Sequence, residues 1–279
     1  MHRHSTHRLW AAAAGLAVVF GITVPGAAGA APAPQVPAPP QAQPARLLAV
    51  SGTALLGTTP GAQLWVARYS GAGNGEDEGL SVAVSPGGAR VFVAGMSWGG
   101  TSGYDLVTVA YGAATGARLW VKRYNGPANG YDYPSSVAVS PGGTRVYVTG
   151  TSQGSGSHND YATVAYSAAT GARLWVQRYN GPANGGDYAS SVAVSPGGTR
   201  VYVTGTSQGS GSGQDYATVA YSAATGARLW VRRYNDPGNR DDEAFALAVS
   251  PRGTQVFVTG FGWDGTATGY DCITVAYRP

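Results

Sequence analysis

Aspartate recurs in this chain on two registers, Asp77, Asp132, Asp187 and Asp242, and Asp105, Asp160, Asp215 and Asp271. Eight of the fourteen acidic residues fall into these sets. Acid–base catalysis needs two carboxylates in different surroundings, and repetition gives each copy nearly the same ones. Hydrogen bonds that close loops are therefore the expectation, with a ring of aspartates holding a cation as the rival, because calcium needs several converging oxygens. Beyond residue 7 the chain has one histidine, His158, and its one cysteine is Cys272. These exclude a disulfide within the chain, a His/Cys zinc cluster and a CxxC redox pair. No G-x-S-x-G elbow turns a strand into a helix, and His158, in SQGSGSHND, reads as an exposed loop residue because the next repeat has SQGSGSGQD. The Gly-Ser-Gly run precedes no helix, so it cannot cradle a phosphate.

The elements that carry these residues repeat every 55 positions. Trp65, Trp120, Trp175 and Trp230 keep that step, as do Ser85, Ser140, Ser195 and Ser250; the second aspartate set keeps it until one extra residue enters before Asp271. In the third copy, alternation and β-branched content predict strands over 190–196, 199–205, 215–222 and 227–235, with turns at Gly197-Gly198 and AATG. Each repeat is thus a four-stranded antiparallel meander, the sequence mark of a propeller blade. The chain stops after a third strand, and QLWVARY (63–69) matches a fourth. If the two ends pair, four blades close in one chain and leave no open sheet edge; a homodimer forming one eight-bladed ring is the alternative.

Residues 1–30 run from a His/Arg-rich start through an apolar stretch to small residues at Ala28, Gly29 and Ala30, the layout of a secretory signal peptide, with an uncleaved anchor as the rival. Residues 31–45 are a Pro/Ala-rich linker that cannot build a core, and 46–279 form the propeller repeat domain. Without the leader, sixteen basic residues face fourteen acidic ones, which gives no support for nucleic-acid or anionic-membrane binding. The expected location is extracellular, with no membrane span after cleavage.

AYGAATGARLW (110–120) and AYSAATGARLW (165–175 and 220–230) fall into the pattern A-x-D-x-x-T-G-x-x-x-W. This resembles the tryptophan-docking motif of quinoprotein (pyrroloquinoline-quinone-type, PQQ-like) β-propellers, and VAVSPGGTRVYVTG resembles generic secreted bacterial propeller repeats. The resemblance spans roughly residues 56–279 and implies one tryptophan per blade, Trp65, Trp120, Trp175 and Trp230, lying between neighbouring blades. Where that pattern has a turn-capping Asp, this chain has Gly112, Ser167 and Ser222. In the family's enzymes the resemblance implies a quinone, a calcium ion, a catalytic Asp and, in several members, a vicinal disulfide that a lone Cys272 excludes.

Chemistry particular to this chain must come from positions that fail to repeat. The loops GMSWGGTSGYD (95–105) and GFGWDGTATGYD (260–271) bring Trp98 with Tyr104, and Trp263 with Asp264 and Tyr270, where the middle repeats have small polar residues. In a closed ring the two loops belong to adjacent blades. Their aromatics then bind a protein, peptide or glycan, or else cover the seam where the chain ends meet. The sequence predicts an all-β propeller acting as a secreted, non-catalytic binding module without cofactor. The alternatives are a quinoprotein-type dehydrogenase binding PQQ and calcium, and a structural surface repeat with no ligand.

Overall fold

The structure, a computed structural model, describes residues 59–73, 75–263 and 269–279. The expected leader, the linker and the start of the repeat domain at residue 46 lie outside the described residues, as does Asp264. No helix among the described residues is long and apolar enough to cross a membrane.

Alternating Val, Tyr and Thr residues bounded by Pro-Gly-Gly and Thr-Gly turns fold into successive antiparallel meanders. The first holds β1 (Asp77–Val84), β2 (Arg90–Trp98), β3 (Tyr104–Gly112) and β4 (Arg118–Tyr124), in that order. The second holds β5 (Asp132–Val139), β6 (Arg145–Gln153), β7 (Asn159–Ser167) and β8 (Arg173–Tyr179), and the third β9 (Asp187–Val194), β10 (Arg200–Gln208), β11 (Gln214–Ser222) and β12 (Arg228–Tyr234). The fourth sheet has three strands, β13 (Glu243–Val249), β14 (Val256–Trp263) and β15 (Tyr270–Tyr277). A 3-10 turn at Gly100–Ser102 interrupts the connection from β2 to β3.

The third meander follows the sequence reading with two shifts: β9 begins at Asp187 and ends at Val194 where the sequence predicts 190–196, and β10 runs to Gln208 instead of ending at Gly205. Thr206, Ser207 and Gln208 pair with Tyr216, Asp215 and Gln214, which lengthens the hairpin into what composition marks as loop.

Apolar side chains pack as slabs between successive sheets. Phe92, Trp120, Val146 and Tyr166 join the first sheet to the second, Tyr147, Trp175, Val201 and Tyr221 the second to the third, and Tyr202, Tyr216, Val256 and Val258 the third to the fourth. The indoles anchor these slabs. Trp120 Nε1 donates to the Ala168 carbonyl at 3.1 Å and Trp175 Nε1 to that of Ala223 at 3.2 Å. The glycine of the Thr-Gly turn makes the seat. Gly171 and Gly226 adopt φ of +68° and +75°, and a Cβ at either would stand 2.7 Å from the indole. Ser167 and Ser222 replace the missing aspartate as turn acceptors, each receiving a weak bond, at 3.4 Å, from the amides of Thr170 and Thr225. Where Gly112 stands, no side chain at that position caps the turn, which is held by Gly116 N donating to Gly112 O at 2.8 Å and Ala117 N to the Thr115 hydroxyl at 3.2 Å.

Trp65 sits on the first sheet in the same way, with Nε1 donating to the Ala113 carbonyl at 2.8 Å, and Ala67 and Tyr69 pack against Val107, Val109 and Tyr111. Residues 65–69 thus hold, against the first sheet, the place that β4 holds against the second. No ladder joins them to β15 among the described residues, so the fourth sheet ends at three strands. Trp230 packs between Tyr202 and Tyr277 at 5.9 and 6.1 Å.

Burying Trp175 to 8% exposure with its N–H satisfied makes it a strong brace. Trp175→Ala is expected to lower unfolding free energy by about 3–5 kcal/mol in denaturant titration. A loss below about 1 kcal/mol, the range of ordinary surface substitutions, would show that the indole does not hold the sheets together.

Candidate functional site

The two aspartate registers have different occupations. Members of the first set close the loop that leads into each meander: Asp77, Asp132 and Asp187 accept from the amides of Gly71, Gly126 and Gly181 at 2.8, 2.7 and 2.7 Å, and Asp242 from that of Asp236 at 2.7 Å. This is the expected loop-closing role.

The second set departs from it. Asp105, Asp160 and Asp215 pair with Arg123, Arg178 and Arg233 at 2.9, 2.8 and 2.7 Å. Arg178 also donates to the Ser152 carbonyl at 2.8 Å, to the Ser152 hydroxyl, and to the Tyr124 hydroxyl of the preceding meander at 3.2 Å. Arg233 repeats this on Ser207 and Tyr179. One guanidinium therefore ties β6, β7 and β8 together and reaches back to β4. Sequence reasoning missed these arginines, although they keep the 55-residue step. Loop serines add to the second set, Ser157 Oγ donating to Asp160 at 3.0 Å.

The structure brings Trp98 and Tyr104 together at the facing ends of β2 and β3, with ring centroids 5.1 Å apart and edge to face. Gly73 and Gly75 lie directly under the Trp98 ring, where a Cβ would meet it at 2.8 and 2.5 Å. The second meander adds two rings that the sequence reading passed over. Tyr131 and Tyr133 lie 6.2 and 6.1 Å from Tyr104, and their own planes are parallel within 7° at 6.0 Å. Tyr131 is 50% exposed and Tyr133 38%. The Tyr104 hydroxyl donates to Glu76 Oε2 at 3.3 Å. Loss of solvent, then the oxygens of neighbouring groups, Glu78 among them, raise the phenols of Tyr104 and Tyr133 above their ordinary value.

Trp263 and Tyr270 form the corresponding pair at the end of the fourth sheet, 5.5 Å apart and edge to face, with Phe261 4.9 Å from Tyr270. Here Arg240 lies over the indole, its Cζ 5.2 Å from the ring centroid. Among the described residues no ring contact joins this pair to Trp98 and Tyr104. In the middle meanders amide side chains hold the same positions, and Gln208 turns back onto its own loop, donating to the carbonyls of Ser212 and Gly213.

Residues 51–268 match the family model PQQ_2, described as outer membrane protein assembly factor BamB. The chain belongs to that family. No curated protein matches it. Among solved structures it is similar to BamB from Moraxella catarrhalis, at 16% identity and a TM-score of 0.36, over 69% of this chain and 47% of that one. It is also similar to TolB from Acinetobacter baumannii, at 19% identity and a TM-score of 0.42, over 73% of this chain and 44% of that one. The β-propeller domain of the Trilobed protease from Pyrococcus furiosus, described as having an open velcro topology, matches at 7% identity and a TM-score of 0.40, over 68% of this chain and 54% of that one. The chain thus spans between 44% and 54% of the length of these three.

In this BamB-family propeller seven of the eight repeated aspartates serve the frame. Burial raises the carboxyls of Asp132, Asp187 and Asp242 above the ordinary range, against the pull of the amides they accept from. A carboxyl raised in the folded state takes up its proton before the unfolded chain does. Stability from it therefore grows as pH falls toward the ordinary carboxylate range and is lost as pH rises through the folded pKa. Asp187→Asn, which keeps a carbonyl for the Gly181 amide, is expected to flatten that part of the curve of urea midpoint against pH. Equal slopes in variant and parent would contradict a raised carboxyl.

Proposed function

We propose that the chain is an exported, non-catalytic β-propeller of the BamB family that holds a protein, peptide or glycan partner on aromatic loops and works outside the cell or at its surface without a cofactor. The observation that carries this reading is the four-ring cluster of Trp98, Tyr104, Tyr131 and Tyr133. It is half-open to solvent and spans two meanders, and Trp98, Tyr104 and Tyr131 stand at positions where the third repeat has no aromatic residue. Exposed aromatics on a rigid sheet end are the usual anchors of recognition, because they supply area at small entropic cost.

The described residues favour this reading over one with a quinone and calcium. Among the described residues no three His, Cys, Asp or Glu side chains converge as a metal would require. One aspartate set accepts loop amides, and three of the four members of the other are held by arginines. The tryptophans that quinoprotein propellers share act in this chain as braces between sheets, with Trp120 and Trp175 pressed on glycine turns.

The purified chain is expected to retain ligands on combined peptide and glycan arrays. Trp98→Ser together with Tyr131→Ser should abolish that binding with little change in melting temperature, since Tyr131 is half exposed. Dye reduction with an alcohol after loading with quinone and calcium, or array binding untouched by the double substitution, would overturn the proposal. A fall in melting temperature with binding retained would mark the rings as seam cover.

A further inference from the structure

The residues that flank the first aspartate register differ from copy to copy, and they differ in a complementary way. Glu76-Asp77-Glu78 opens the first meander and Tyr131-Asp132-Tyr133 the second, so two carboxylates stand at the positions where the neighbouring meander has two tyrosines. Tyr104 joins the two sets, donating to Glu76 while its ring meets Tyr131 and Tyr133. Glu76 and Glu78 are exposed. The result is a ledge of flat aromatic faces bordered by negative charge. Among the described residues no cation stands over Trp98, Tyr104, Tyr131 or Tyr133.

The fourth meander shows how the same Trp and Tyr pair looks when a cation is supplied from within the chain. Trp263 and Tyr270 occupy the repeat positions of Trp98 and Tyr104, and the guanidinium of Arg240 covers the indole at 5.2 Å. At the position of Arg240 the first meander has Gly75, which provides no side chain at all. The aromatic pair is thus paired in cis at one end of the chain and left open, with carboxylates beside it, at the other.

We propose that the ledge of Trp98, Tyr104, Tyr131 and Tyr133, with Glu76 and Glu78, takes an arginine side chain from an extended segment of a protein partner. This rests on the interaction-module reading and names the chemistry of its site. The two parallel tyrosine planes suit a planar guanidinium, which stacks on ring faces and forks toward carboxylates; a compact ammonium does neither as well. Neutral sugars also stack on tyrosine, but two exposed carboxylates at the rim favour a cation.

The test uses the full chain and a fluorescent five-residue peptide with a central arginine, alongside its lysine and citrulline counterparts and a neutral oligosaccharide. Citrulline keeps the shape of arginine without its charge. The arginine peptide is expected to bind about tenfold more tightly than the citrulline peptide, more tightly than the lysine peptide, and less tightly as salt rises. Glu78→Gln and Tyr131→Ser should each weaken it several-fold, while Tyr188→Ser, at the equivalent position of Tyr133 in the third meander, should leave it unchanged. Equal binding of arginine and citrulline peptides, no binding of any peptide, or insensitivity to Glu78→Gln overturns the cation assignment. Binding of the neutral oligosaccharide that is lost in Tyr131→Ser overturns the assignment too, yet leaves the interaction-module reading standing, which separates the two failures.

Discussion

Everything in this structure depends on an indole lying on the turn of the next sheet. The contact of Trp120 with the Ala168 carbonyl and that of Trp175 with the Ala223 carbonyl each span 48 residues, and each ties an outermost strand to the following meander. The contact satisfies the one polar atom of a large apolar ring and requires a turn without a Cβ beneath it, which Gly171 and Gly226 provide. A sheet held this way on both faces buries its middle strands: seven consecutive residues of β7 and of β11 are buried. Where no described neighbour covers the sheet the effect reverses, and Leu80, Val82 and Val84 of β1 are 44%, 58% and 56% exposed.

A second constraint acts at the opposite end of the first three meanders. Arg178 and Arg233 each bind one aspartate, one serine and a tyrosine from the previous meander, so charge, hydroxyl and chain register are fixed together. A partly buried ion pair with its donors satisfied holds geometry more than it adds stability. Such an arrangement leaves the connecting loops free to vary, and variation there is where BamB-family repeats of this chain differ from one another.

Much of this was legible in the sequence because it is repeated. The step of 55 residues, the alternation in SSVAVSP and DYATVAYS and the Thr-Gly turns define strands, turns and the tryptophan seats. The arginine pairing was not legible. Arg178 lies 18 residues from Asp160, and only the register of β7 against β8 brings them together. Trp98 and Tyr104 stood out because they interrupt a glycine-rich loop. Tyr131 and Tyr133 did not, since they flank a repeating aspartate and were read with it. Comparing EDE, YDY, GDY and DDE around that aspartate contained the signal.

The account separates braces from site within one residue type, and the seven tryptophans can report on both at once. Indole N–H resonances recorded in solution, first during exchange into deuterated water and then with an arginine peptide added, give the direct comparison. The expected result is slow exchange at Trp120 and Trp175 with no response to peptide, and a shift confined to Trp98 among the described tryptophans. Fast exchange at Trp120 and Trp175, or a peptide response there and none at Trp98, would contradict the division of labour proposed for this chain.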